Sequence, residues 1–227
     1  MYFTTFLKEI SPMAKGVLPA TIPHSAYVPL DLSSTNQDLL ASKAYETPQQ
    51  FDNYINTYLE KNNAQVAYGG YKEDRDLYRS SSLFNPVQLE DARTIHLGID
   101  FWCPAGTAIR TPLDGIVHSF RDNATRGNYG PTIILEHTIR DTVFYTLYGH
   151  LSIGSIATLE VGQAFSAGAQ IGTLGNLMVN GGYAAHLHFQ IIHTIGEYHG
   201  DYPGVSSKKN LDSFVKNCPD PLCLLSI

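Results

Sequence analysis

The sequence predicts a mainly β fold, an antiparallel sheet or barrel-like domain with an N-terminal helical extension, and three observations lead there. From about residue 93, short runs of Val, Ile, Thr and Tyr alternate with the turn signals "PAGT", "LDG", "RGNYG", "VGQ", "SAG" and "LGN", a pattern of many short strands. Before them, one helix announces itself in "TPQQFDNYINTYLEKNN". Finally, "AGTAIRTPLDG" and "AGAQIGTLGN" echo each other, each running from a small-residue turn through a short strand into a second glycine turn, as two hairpin-like units would.

Taken in order, the first thirty-odd residues carry prolines at 12, 19, 23 and 29 and no sustained period, which predicts extended chain wrapped over another part of the molecule. The helix comes next. Thr47 stands where an N-cap belongs, Pro48 at the first helical position and Gln50 where a capping box places its amide, while Phe51, Tyr54, Ile55, Tyr58 and Leu59 form one apolar stripe. That stripe needs a surface, and the β region offers the large one, so the arm is expected to cover part of any groove there. "YGGYKEDRDLYRSSSLF" reads as a junction, broken by glycines and anchored by aromatics at both ends. The expected organisation is an arm and helical region over 1–80, a β domain over 81–200, and a tail over 201–227 packing on it.

Composition removes several classes of function. The chain has 227 residues, a formal net charge of -6 and no basic block, which argues against a phosphate backbone or an anionic membrane as partner. No run approaches a membrane span, and Lys8 and Glu9 interrupt the apolar start "MYFTTFLKEI". The expectation is a cytoplasmic protein, or a periplasmic or extracellular one if a leader has been trimmed. Cys103, Cys218 and Cys223 are odd in number and lack zinc-knuckle or redox spacing, so they read as reduced structural thiols.

The nine histidines carry more information. In "HLGID", His96 and Asp100 would share a helix face, but Gly98 and the following "FWCP" argue against a helix. On a straight strand they are too far apart for one ion, so Gly98 must bend the chain if they are to meet. Alone, the pair reads as a solvated turn with a capping carboxylate rather than as a site. His150 in "YTLYGH" follows Gly149 at a strand end, a position that suits either a structural donor or a side chain aimed into a cleft. In "AAHLHFQ", strand alternation sends His186 and His188 to one face and Leu187 and Phe189 to the other. Two imidazoles about 7 Å apart on one face can share a metal site or form a polar edge. Together, His96, Asp100 and His188 make up the kind of ligand set a catalytic zinc takes, leaving His150 and His186 where bases would sit.

Three motifs in order, "HLGIDFWCPAGTAI", "TLYGHLS" and "HLHFQI", resemble the lysostaphin or LytM-type zinc endopeptidase family over roughly residues 93–195. The resemblance implies a small antiparallel LytM domain of the duplicated hybrid-motif kind, with the metal in a groove. It further implies one Zn2+ held by His96, Asp100 and His188, with His150 and His186 catalytic, and a peptide or peptidoglycan-derived substrate. Tyr148 and Asn176 are candidates for the groove lining. No HExxH helix is present, so histidine must serve as the base. His24, His118, His137, His193 and His199 fit no ligand role and are read as structural. "NGGYAA" departs from the family's usual approach to the last motif, and the lead-in and tail are similar to those of a subset without a secretion signal.

Two other functional classes share features of this sequence. A non-catalytic LytM-type module that activates a partner hydrolase is the alternative, although such modules have lost ligands that this chain keeps. A biotinyl or lipoyl carrier is excluded because no lysine lies between residues 73 and 207, where its hairpin-tip lysine would have to be.

Overall fold

The computed structural model describes residues 2–76 and 91–227. Part of the junction, residues 77–84, therefore lies outside the described residues. Twelve strands are described: β1 (Tyr27–Pro29), β2 (Val66–Gly69), β3 (Arg93–His96), β4 (Ile99–Trp102), β5 (Ala108–Arg110), β6 (Gly115–Asn123), β7 (Gly130–Ile139), β8 (Thr142–Gly149), β9 (Ala164–Phe165), β10 (Gln170–Thr173), β11 (His186–Ile192) and β12 (Val205–Ser207). Four α-helices accompany them: α1 (Tyr2–Ile10), α2 (Gln37–Ser42), α3 (Pro48–Lys61) and α4 (Leu211–Asn217). Among the described residues none is long and apolar enough to cross a membrane.

Eight strands form one sheet in the order β1-β2-β4-β11-β8-β7-β6-β9, antiparallel except where β1 meets β2. The sheet stays open, so the architecture is mainly β without a closed barrel. The two echoing segments pair with each other rather than forming separate hairpins: β5 and β10 make their own two-stranded ladder. The β7–β8 hairpin turns on Arg140 and Asp141, both left-handed (φ 49° and 62°), as a two-residue loop matched to strand twist requires.

The central strand β11 is buried along its whole length because both faces of the sheet are covered. Leu187, Phe189 and Ile191 join the main core, where Phe3, Phe6, Leu7 and Ile10 of α1 and Leu224 and Leu225 of the tail pack on the sheet. The expectation of extended chain is corrected at this point. Positions 3, 6, 7 and 10 follow helical spacing, and the prolines that suggested extension begin only after α1 has ended.

Helix α3 forms where its caps and period place it. Thr47 accepts from the Gln50 amide N–H at 3.1 Å, and its hydroxyl donates to the Gln50 side chain at 2.8 Å, a variant of the capping box in which Gln50 does not reach back to the backbone. Phe51 and Ile55 are buried in a second cluster with Leu30, Leu32, Trp102 and Ala184. The apolar stripe thereby sets the N-terminal arm beside the end of β4 where Trp102 sits.

Candidate metal centre

The even face of β11 carries the site. The register pairs His188 with Asp100 and His186 with Trp102, so antiparallel pairing alone places one imidazole beside the carboxylate. His96 arrives differently. β3 stops at His96, the chain bends through Leu97 and Gly98, and β4 begins at Ile99. A Cβ on Gly98 would lie 2.7 Å from the His188 ring, so a residue without a side chain is what lets the bend close against it. The bend that the sequence required for His96 and Asp100 to meet is present.

Three ligand atoms converge. His96 Nε2 lies 2.8 Å from His188 Nδ1, and Asp100 Oδ1 lies 3.2 Å from each of those nitrogens. Their protonation follows from the outer ring atoms. His96 Nδ1 faces the Gly70 carbonyl at 2.9 Å, which only accepts, so that nitrogen carries the proton and Nε2 the lone pair. His188 Nε2 meets Gln190 Oε1 at 2.9 Å, while the Gln190 amide nitrogen donates to the Pro203 carbonyl and Cys218 Sγ. This leaves the lone pair on His188 Nδ1. Two lone pairs and a carboxylate oxygen without a hydrogen-bond donor thus face one another in a buried space, an arrangement that suits a cation. Among the described residues, this is the group of His, Cys, Asp or Glu side chains placed to hold a metal ion.

His150 and His186 follow the same rule. His150 Nδ1 donates to the Asn180 carbonyl and His186 Nδ1 to the Ala184 carbonyl, each at 2.7 Å, leaving both Nε2 atoms as acceptors. Their rings lie 4.1 Å apart, and His186 stacks on Trp102 at 5.6 Å. His150 owes its direction to a left-handed backbone, φ 64°, just after β8 ends. Strand alternation alone would have sent it with Tyr148 into the core, and the positive φ turns it into the site.

Burial sets the charge states. It lowers the His96 pKa to about 3, reinforced by the Arg75 guanidinium and opposed by Asp100. Burial also holds His150 well below its ordinary value, with neighbouring His186 adding to the effect, and lowers His186 against the pull of Asp100. Asp100 goes the opposite way to its own burial. The Arg75 guanidinium, hydrogen-bonded to Oδ2, holds its carboxyl well below the usual range. Neutral imidazoles and an ionised carboxylate are the forms that bind metal and take up protons.

These groups open on a cavity of about 290 Å³ lined also by Tyr129, Tyr183, Tyr198 and Tyr202. Leu32 and Phe51 of the arm form part of its wall.

Two expected lining residues are corrected. Tyr148 is fully buried on the opposite face of the sheet, paired with Phe189 and with its hydroxyl 2.9 Å from Thr146 Oγ1, because odd and even positions of adjacent strands separate strictly. Asn176 is exposed and accepts from the Met178 backbone N–H at 3.0 Å, serving its own loop. Asn180, four residues on, is the one that reaches the centre, through its carbonyl. Sequence reasoning also missed Gly70, Arg75 and Gln190. Gln190 was within reach, since it stands two residues beyond His188 on the same strand face. Gly70 and Arg75 lie on a remote segment with no periodic signal.

Comparison with known proteins locates the same region. Residues 94–200 match Peptidase family M23. The chain is similar to the peptidoglycan DD-endopeptidase ShyA of Vibrio cholerae, 30% identical over 194 residues that cover 79% of this chain and 42% of the relative. It is also similar to an uncharacterized metalloprotease of Buchnera aphidicola, 31% identical over 119 residues, covering 50% of this chain and 28% of the relative. Among solved structures, the catalytic domain of lysostaphin from Staphylococcus simulans is 24% identical with a TM-score of 0.38, covering 58% of this chain and 87% of that one. A zinc containing peptidase from Vibrio cholerae is 29% identical with a TM-score of 0.35, covering 43% of this chain and 27% of that one. The chain spans less than half the length of the two curated relatives. His96, Asp100, His150, His186 and His188 all fall inside residues 94–200, the segment that matches peptidase family M23.

Proposed function

We propose that this chain is a zinc-dependent peptidase that hydrolyses amide bonds in peptidoglycan-type or glycine-rich peptides. The observation that carries the reading is the convergence of two imidazole lone pairs and Asp100 Oδ1, with two further neutral imidazoles facing the same cavity. His96 through Nε2, Asp100 through Oδ1 and His188 through Nδ1 would hold the ion. The similarity to a peptidoglycan DD-endopeptidase supports the substrate class.

When bound, a zinc ion supplies Lewis acidity, polarising an amide carbonyl and lowering the pKa of water toward neutrality. The rest belongs to the protein. His150 Nε2 and His186 Nε2 are unprotonated acceptors; one takes the proton from attacking water, and the resulting imidazolium steadies the negative charge that develops on the carbonyl oxygen. The same proton then passes to the departing amine. The backbone carbonyls of Asn180 and Ala184 keep each ring in the tautomer the transfer needs. Phe51, Leu32 and Trp102 present an apolar wall that excludes water on one side.

The activator reading gains nothing from the site, because every ligand and both candidate bases are retained.

The deciding experiment is a mass-spectrometric digest. Zinc-loaded protein and a His150→Ala control are incubated with muropeptides, glycine-rich peptides and ordinary peptides. Cleavage of the first or second class, absent in the control, is expected. Protein that holds one zinc and cuts none of the three would overturn the reading.

A further inference from the structure

The metal centre is completed from outside the segment that matches the family. The turn after β2 runs back along β3: Lys72 N–H donates to the His96 carbonyl, His96 N–H to the Glu73 carbonyl and Arg75 N–H to the Thr94 carbonyl, each at 2.9 Å. This antiparallel docking brings two groups to the site. The Gly70 carbonyl accepts a hydrogen bond from His96 Nδ1, and Arg75 Nη1 donates to Asp100 Oδ2 at 2.6 Å.

Arg75 is held as firmly as the ligands. Its side chain is 2% exposed, its Nε donates to Glu73 Oε2, and its guanidinium lies 5.5 Å from the Trp102 ring centre. Glu73 is fixed in turn, accepting from the Leu32 N–H at 2.9 Å. Gly70 is left-handed (φ 101°), and a Cβ there would fall 1.9 Å from Arg75 Nη2, so the turn is shaped around the guanidinium. A buried arginine confined on every side is not a surface ion pair.

We propose that Arg75, braced by Glu73, is a positioning residue for the metal. It engages Asp100 Oδ2 so that only Oδ1 is presented to the ion. The geometry gives the reason. Asp100 has two equivalent oxygens, and an unrestrained carboxylate can rotate to offer either or both. With Oδ2 engaged by a planar guanidinium, rotation costs a charge-assisted hydrogen bond. Glu73 offsets the positive charge, so Asp100 keeps its attraction for a cation. The inference rests on the zinc reading of the site and adds to it that residues 70–75 belong to the centre.

The test measures the metal rather than turnover. Wild-type protein, Arg75→Lys, and the double variant Glu73→Gln with Arg75→Met, which removes both buried charges together, are titrated with Zn2+ against a competing chelator. Their Co2+ derivatives are compared by visible absorption, and folding is checked by circular dichroism. The double variant should lose about 10- to 100-fold in zinc affinity, as expected when the partner of a ligand is removed. Its Co2+ bands should shift as Asp100 changes its mode of binding. Arg75→Lys, which keeps the charge but not the fork, should lose less. Wild type that binds one zinc, with either folded variant matching it in affinity and spectrum, would overturn the proposal alone. Wild type that binds no zinc would overturn the zinc reading, and this proposal with it.

Discussion

His150 and His186 approach to 4.1 Å between ring centres from unconnected segments, and each commits Nδ1 to a backbone carbonyl, Asn180 for one and Ala184 for the other. Neither belongs to the His96, Asp100 and His188 group, whose ligand atoms lie within 4.8 Å of one another. They are therefore separable from metal binding. His150→Ala and His186→Ala should each retain one zinc and lose roughly 10²- to 10⁴-fold in kcat, the usual worth of a proton-transfer residue. The double variant should fall little further than the worse single one, because both rings serve the same proton. Metal analysis beside steady-state kinetics checks this; loss of zinc in either single variant would assign that histidine to the ligands instead.

The parts of this centre that were legible in the sequence are those set by strand alternation and close spacing. His186 and His188 share a face because β11 alternates, and Gly98 was recognisable as the bend between His96 and Asp100. Alternation misleads where the backbone departs from it. Tyr148 looks like a neighbour of His150, yet the left-handed φ at His150 sends the two to opposite sides of the sheet. The helix over residues 2–10 was obscured by prolines that follow it, although Phe3, Phe6, Leu7 and Ile10 carry its period. Arg75 was beyond reach for another reason. It meets Asp100 across 25 residues through a turn whose path depends on docking against β3, and single-sequence patterns do not record such docking.

Metal binding should be visible as stability. A ligand that binds only the folded state stabilises it by roughly 4 kcal/mol when its free concentration is 1,000 times its dissociation constant. Zinc added to chelator-stripped protein should raise Tm by several degrees, and His188→Ala should abolish the rise. Equal shifts in wild type and His188→Ala would mean that zinc binds elsewhere.

Gly98 offers a steric test of the same centre. An added Cβ would lie 2.7 Å from His188 Cε1 and Nε2 and from the Phe189 carbonyl oxygen. Gly98→Ala must push the His188 ring off its bond to Gln190, which frees the ring to rotate and misdirects Nδ1. The expected outcome is a loss of about 1–3 kcal/mol in stability, typical of overpacking, and a weaker zinc complex. Urea unfolding and chelator competition measure the two effects; unchanged zinc affinity would show that the ring tolerates the displacement.

His137 gives the fold a pH dependence that can be separated from the site. It is fully buried on β7, with Nδ1 donating to the Asp114 carbonyl at 2.8 Å and Nε2 receiving the Thr146 hydroxyl at 2.7 Å. Burial lowers its pKa from 6.5 to about 4, against the smaller opposing pull of Asp114. The folded state therefore favours the neutral ring, and the unfolded chain binds the extra proton. The stabilisation is fully present above pH 6.5 and is lost as pH falls from 6.5 toward 4, reaching about 2–3 kcal/mol by pH 4.5. His137→Gln removes the titration, although it weakens the fold at neutral pH by disturbing the two hydrogen bonds. Urea unfolding of both proteins between pH 7.5 and 4.5 should show wild type losing about 2–3 kcal/mol more than the variant across that range. Parallel losses would mean that His137 titrates in the folded protein much as it does in the unfolded chain.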